Sequence, residues 1–263
     1  MESREINEII QSNIFLTAKW PIILINQLHI SIMLYKKERF YLIKKIEKLV
    51  GMGLLNIEGG GISIRVAPNR ILVTPTGSAF RLWEVKPGDI LVTDERGKII
   101  ERGKYFAVAE FPIALHIFNK FKICNSVFHT HGPFSLAYAS IRRKIPKSTH
   151  HVEVLGEIPC LRSPNETKIK DKYLKNPYKV SMPEAVHRPE VYIIFKRLIK
   201  EFDRYFNGRG EELKKHGLAF IVEKHGLFTF AKNLEEAIEN AARVEAAART
   251  QLFANLINLK NSK

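Results

Sequence analysis

Cysteine is scarce in this chain. Two residues in 263, Cys124 and Cys160, lie far apart, and neither belongs to a CxxC pair. A thiolate metal site is therefore disfavoured, and the compartment reads as reducing, which points to the cytoplasm. A membrane-length apolar run is also missing. The stretch that approaches one, residues 20–34 (WPIILINQLHISIML), falls short of the roughly 20 residues a bilayer requires. Asn26, Gln27, His29 and Ser31 interrupt it. It follows Glu2, Arg4, Glu5 and Glu8 and not a basic segment, which argues against a signal peptide. A buried helix, a strand or a subunit contact suits it better, and no membrane partner is expected. Met33 is an alternative start, because a clean helical pattern begins just after it; the intact mass of the native protein would decide. Zinc-finger spacing, RNA-binding signatures, leucine-zipper patterns, internal repeats and low-complexity segments are all lacking.

Acidic residues are outnumbered, 27 against 42 basic, for a net charge of +15. Such a balance suits nucleic acid, an anionic membrane or an anionic substrate. A solvated basic surface, as in lysine-rich thermophile proteins, explains it more plainly. No specific nucleic-acid partner is expected, and the partner is read as a small molecule.

What is present is an ordinary share of apolar residues, 45%, enough for a sizeable core. Residues 36–55 show helical spacing at Phe40, Leu42, Ile43, Ile46, Leu49 and Val50, with Gly51 and Gly53 as terminators. The triplet Gly59-Gly60-Gly61 introduces a strand, ISIRV, followed by ILVTP and, after Lys86-Pro87-Gly88-Asp89, by ILVTD. Residues 95–97 close a hairpin-like loop. Residues 110–121 read as a helix with Pro112 in its first turn, 126–131 as a strand, and 134–142 as a helix. A basic, irregular region covers about 161–190, then a helix to about 206. Strand-like LAFIVE and LFTF flank His225-Gly226. Asn233 caps a long alanine-rich helix with Glu235 and Glu236 in its first turn. Short strands mixed with helices imply an α/β layered domain. Residues 1–35 read as an N-terminal extension to a domain spanning 36–263.

The chemistry centres on Val127-Phe128-His129-Thr130-His131. In a strand, residues i and i+2 share a face. His129 and His131 can thus offer two neutral imidazoles to one ion, with Phe128 turned away, and imidazole suits zinc, iron, nickel or copper. Two partly exposed polar positions would read the same way. His225, at a break between strands, is a candidate third ligand or a surface loop residue. His116 falls on the apolar face of its helix, where a packed core residue is the commoner outcome; His29, His150, His151, His187 and His216 also compete. Three histidines leave an open position, as catalytic sites do. Glu110, at a helix start, is a candidate base; by local sequence alone the plainer reading, a helix-capping acid, prevails.

The ordered pieces GMGLLNIEGGGISIRV, ILVTPTG, AE within VAEFPIALHIF, VFHTH and KHGLFTF before the alanine-rich helix resemble the class II aldolase/adducin family over about residues 36–255. The resemblance implies a three-layer α/β/α fold around a largely antiparallel sheet. It implies zinc (Zn2+ or another divalent metal) on His129, His131 and His225, Glu110 as base, and retro-aldol cleavage through a metal-bound enediolate in a small hydroxy-carbonyl, sugar or sugar-phosphate-like substrate. It also implies a homo-oligomer, commonly a tetramer. Dehydratase, decarboxylase and epimerase chemistry share such a site, and adducin-like members are non-catalytic. The family's phosphate-holding elements map to Gly61, Thr76 with Gly77, and Val108 with Ala109. Only Thr76 and Gly77 keep the family residues, which disfavours a phosphorylated substrate. The family's acidic tyrosine falls near His150, so His150 or His151 is a candidate proton donor. A basic insertion of about 161–215, with Lys168, Lys170, Lys172, Lys175, Lys179, Arg188, Lys196 and Arg197, reads as a lid, an anion clamp, an oligomer contact or a solvated surface.

Overall fold

The computed structural model describes residues 33–163, 182–187 and 189–261. The apolar stretch at 20–34 falls almost wholly outside them, as do Lys168, Lys170, Lys172, Lys175, Lys179 and Arg188. The chain divides into two units at Met33 and Leu34, and the second, Leu34–Lys263, is the one described below.

Eight strands form one sheet in the order β4-β3-β2-β1-β5-β8-β7-β6. They are β1 (Gly60–Ala67), β2 (Arg70–Val73), β3 (Leu91–Thr93), β4 (Ile99–Glu101), β5 (Ser126–Thr130), β6 (Cys160–Leu161), β7 (Leu218–Val222) and β8 (Gly226–Ala231). All neighbours are antiparallel except β6 and β7. The helices are α1 (Lys36–Gly51), α2 (Phe111–Lys120), α3 (Pro133–Ser140), α4 (Pro189–Phe206), α5 (Gly210–His216) and α6 (Leu234–Asn261).

Strand alternation divides the core in two. Ile62, Leu72, Phe128 and Leu227 turn to one face, beneath α1, α3 and α6. Val73, Val127, Phe220, Phe228 and Phe230 turn to the other, beneath α2, α4 and α5. The fold is therefore three layers, α/β/α, around a largely antiparallel sheet. The alanines of α6, Ala237, Ala241, Ala247 and Ala248, are fully buried and let that helix lie close on the sheet. Its start is capped by Asn233, whose Oδ1 accepts the Glu236 N–H at 2.9 Å. The opposite face carries an aromatic core, with Phe202 stacked on Phe206 and Phe220 on Phe228.

Among the described residues, one charged side chain is completely buried. Arg39 of α1 donates to the carbonyls of Leu34, Pro87 and Ile90 and pairs with Glu101 at 2.7 Å. It ties the first helix to the β3–β4 edge of the sheet. Three elements were not expected from sequence: β4, which follows the hairpin-like loop at 95–97, and β6 and α5. β6 and α5 are very short and lie at the two ends of the region read as irregular or insertional. The helix expected over 134–142 forms as Pro133–Ser140.

Candidate metal centre

β5 delivers the first two histidines. Its register sets His129 beside Gly61 of β1 and Phe228 of β8. Phe128 packs into the opposite layer. His131 follows at the strand's end, and that end is held from several sides. The Thr130 hydroxyl donates to the Leu54 carbonyl. Asn56 Nδ2 donates to the His131 carbonyl at 3.0 Å, and Trp83 Nε1 donates to the Asn56 carbonyl at 2.8 Å. Glu245 of α6 accepts the Phe134 and Ser135 N–H groups at 2.7 and 2.9 Å, which anchors α3 directly after His131.

His225 arrives on the β7–β8 turn. The Lys224 N–H donates to the Ala139 carbonyl of α3 at 3.1 Å. Gly226 adopts φ 149°, and a Cβ there would stand 2.6 Å from the Thr130 carbonyl oxygen and 2.8 Å from the His131 ring. Only glycine permits that approach and that backbone conformation.

Glu110 immediately precedes α2. The chain before it is docked on the end of β2 by the Val108 N–H to the Thr74 carbonyl, 3.0 Å, and the Thr76 N–H to the Phe106 carbonyl, 2.8 Å. The Glu110 carboxylate makes no capping bond to its own helix. It turns instead to the histidines, with Oε1 3.2 Å from His225 Nε2 and 4.0 Å from His129 Nε2.

One nitrogen from each of His129, His131 and His225 lies within 4.8 Å of the others. His129 Nδ1 stands 2.9 Å from the Leu227 carbonyl oxygen. A carbonyl only accepts, so Nδ1 carries the proton and Nε2 presents a lone pair. That Nε2 is 2.8 Å from His131 Nε2; two lone pairs cannot face each other so closely without a proton or a cation between them. His225 Nε2 is buried with no hydrogen bond, its contact to Glu110 being close but not aligned as one. Aromatic rings flank the cluster: Phe228 stacks on His129 at 4.0 Å and Phe195 meets His225 edge-on at 5.5 Å. Burial, then His131, holds His129 well below the ordinary histidine range. Burial, then His225, lowers His131 to about 4. Burial opposes the charge on Glu110, yet His225 and His129 outweigh it and bring the carboxyl down to about 2. An ionised carboxylate beside three converging imidazoles is the donor set a zinc-like divalent cation requires. A buried nitrogen left unpaired fits the same ion.

Beside His131 and Glu110 opens a cleft of about 110 Å³, walled by Glu58, Gly59, Thr76, Gly77, Phe80 and Val108. Thr76 and Gly77 both line this cleft. Gly61 does not share this cleft. It backs onto Val108 across a gap of about 10 Å³, room for a single water at most. His150 begins the 3₁₀ turn His150–Leu155 with its side chain 90% exposed, 3.6 Å from Glu153, and makes no contact with the cluster of its own chain. His116 is no packed apolar residue; its Nε2 lies 2.8 Å from Asp203, joining α2 to α4. Sequence reading missed Glu58, Asn56 and Trp83. The first two lie beside the glycine triplet, the only local signal; Trp83 comes from across the fold.

The profile of the class II aldolase and adducin N-terminal domain matches residues 41–252. L-ribulose-5-phosphate 4-epimerase UlaF of Salmonella paratyphi B (strain ATCC BAA-1250 / SPB7) is 27% identical over 209 residues, 78% of this chain and 80% of that protein. Among solved structures, an L-fuculose 1-phosphate aldolase superposes with a TM-score of 0.60 at 21% identity, over 83% of this chain and 86% of its own. L-fuculose-1-phosphate aldolase from Thermus thermophilus gives a TM-score of 0.58 at 17% identity, over 85% and 98%.

Proposed function

The chain belongs to the class II aldolase/adducin family, and from that premise we propose that it is a metal-dependent aldolase-type lyase. It makes or breaks a carbon–carbon bond in a small hydroxy-carbonyl compound. The observation that carries this reading is the Glu110 carboxylate, which leaves its helix N-terminus uncapped to face three converging histidines. A non-catalytic adducin-like domain has no use for that arrangement.

His129, His131 and His225 would hold the ion, with zinc the best match to three imidazoles and an open position. When bound, it would polarise the substrate carbonyl. The chain's own groups do the rest. His129 is kept in the correct tautomer by Leu227. Phe228 and Phe195 pack against the rings of His129 and His225 and hold them in place. In the cleaving direction, ionised Glu110 accepts the hydroxyl proton and the bond between the hydroxyl carbon and the carbon beside the carbonyl breaks. Its electron pair moves toward the carbonyl oxygen, and an acid returns a proton to carbon. His150 is proposed as that acid, presented by another copy of the chain. It is exposed and unengaged with its own cluster, as such a role requires. A homotetramer in the cytoplasm is the proposed setting.

Epimerisation is the second reading, favoured by the similarity to L-ribulose-5-phosphate 4-epimerase. It uses the same bond cleavage followed by recombination on the other face. Proton NMR of a substrate turnover separates them, since a lyase releases two fragments and an epimerase none.

The first test is metal content by plasma mass spectrometry, on wild type and His129→Ala purified without added metal. We expect about one divalent ion per wild-type chain and none in the variant. A wild type that stays empty after reconstitution with zinc, cobalt, manganese and iron would sink the reading.

A further inference from the structure

We infer that Asn56 and Trp83 are positioning residues that tie one metal ligand, His131, to the loops lining the cleft, so that metal affinity and cleft shape are set together. The inference rests on the metal-site reading above and gives that site two further residues.

The three histidines are held unequally. His129 sits within β5, paired with Gly61 and Phe228, and its Nδ1 is fixed by the Leu227 carbonyl. The His225 N–H donates to the Val222 carbonyl at 3.0 Å, inside the β7–β8 turn. His131 comes one residue after the last sheet pairs of β5, Thr130 with Gly60 and with Leu227. Its place is set by groups outside the strand. Asn56 Nδ2 donates to its carbonyl at 3.0 Å, and Gly59 passes so close that a Cβ there would stand 3.5 Å from the imidazole.

The other groups of Asn56 hold the cleft. Its Oδ1 accepts the Glu58 N–H at 2.9 Å, and its main-chain carbonyl accepts the Gly59 N–H at 3.3 Å. Glu58 and Gly59 both line the cleft. The same carbonyl accepts Trp83 Nε1–H at 2.8 Å. Trp83 closes the loop that supplies Thr76, Gly77, Ser78 and Phe80 to the cleft, and its N–H donates to the Ser78 carbonyl at 2.9 Å. Leu82 and Trp83 both lie in the left-handed region, at φ 50° and 62°. Bulky side chains rarely adopt it, and it persists only where the surroundings over-determine it. Leu82 stays 72% exposed, so packing of its side chain does not explain the turn; Trp83 is 7% exposed. What the turn achieves is delivery of the indole N–H to Asn56.

The test is the zinc affinity of the full chain, by competition with a chromophoric chelator, together with the visible spectrum of the cobalt-loaded protein. Asn56→Ala and Trp83→Phe should each weaken zinc binding about tenfold, as loss of a group that orients a metal ligand does, and each should shift the cobalt absorption bands. Trp83→Phe keeps an aromatic ring in the core and removes the N–H, so it decides the matter even if Asn56→Ala fails to fold. Because Trp83 acts through Asn56, the double variant should bind zinc no more weakly than Asn56→Ala alone. A folded Trp83→Phe with wild-type zinc affinity and cobalt spectrum, or additive losses in the double variant, would overturn the inference and leave the metal site intact. A wild type that binds neither ion would overturn both the metal-site reading and this one.

Discussion

At the scale of single residues, two pairs of residues shape the site. Glu110 and His225 are the first. The carboxylate is held ionised beside an imidazole it approaches to 3.2 Å, so its proton affinity is set by the cluster and not by its helix. Glu110→Gln keeps the shape and removes the acceptor. We expect metal content to be unchanged while turnover of an identified substrate falls by about 10²-fold or more; full activity would remove Glu110 from the base role. Gly61 and Val108 are the second pair. Gly61→Ala adds one methyl 2.9 Å from Val108, and overpacking of this kind costs about 1–3 kcal/mol. The double variant Gly61→Ala/Val108→Ala should recover most of that loss in urea unfolding. Additive losses would mean that the two side chains do not compete for the same space.

At the scale of elements, the helices serve to fix loops that carry chemistry. α6 does this twice, through Glu245 at the start of α3 and through its alanine face on the sheet. Its own start depends on Asn233. Asn233→Ala should cost about 1 kcal/mol, read as a lower denaturation midpoint with an unchanged slope; no shift would show that the Asn233 side chain contributes nothing there. Arg39 plays the corresponding part for α1. Its guanidinium satisfies three carbonyls and Glu101 inside the protein, which no periodicity argument reveals.

At the scale of the whole molecule, the buried histidines link stability to pH. His129 and His131 bind protons less readily in the folded chain than in the unfolded one, where the ordinary value is about 6.5. The unfolded state therefore takes up protons first on acidification. The metal-free protein should lose stability as pH falls from about 6.5 toward about 4, the value to which His131 is lowered. Glu110, lowered to about 2, adds a loss at more acid pH still. Thermal melts in chelator at pH 7.5 and 5.0 check this. We expect a lower Tm at pH 5.0 and a larger zinc-induced rise at pH 7.5. An equal or higher Tm at pH 5.0 would contradict the burial of these rings. Among the described residues, no helix is long and apolar enough to cross a membrane.

Local sequence determined the elements whose stabilising forces are local. The period-two strands β1, β2, β3, β5, β7 and β8, the capped alanine-rich helix α6, and the shared face of His129 and His131 all follow from spacing and backbone stereochemistry. The family resemblance added Glu110 and His225 to that pair. Tertiary structure alone decided which residues meet. It turned Glu110 from a helix cap into a partner of His225, because the residues after β2 dock the preceding segment against Gly61 of β1, next to β5. It set Gly61 against Val108, outside the cleft, and placed Glu58 of the preceding turn on its wall. It also set His150 at the surface, away from the cluster in its own chain. Contacts between residues far apart in sequence depend on how the layers pack, and local patterns carry no record of that packing.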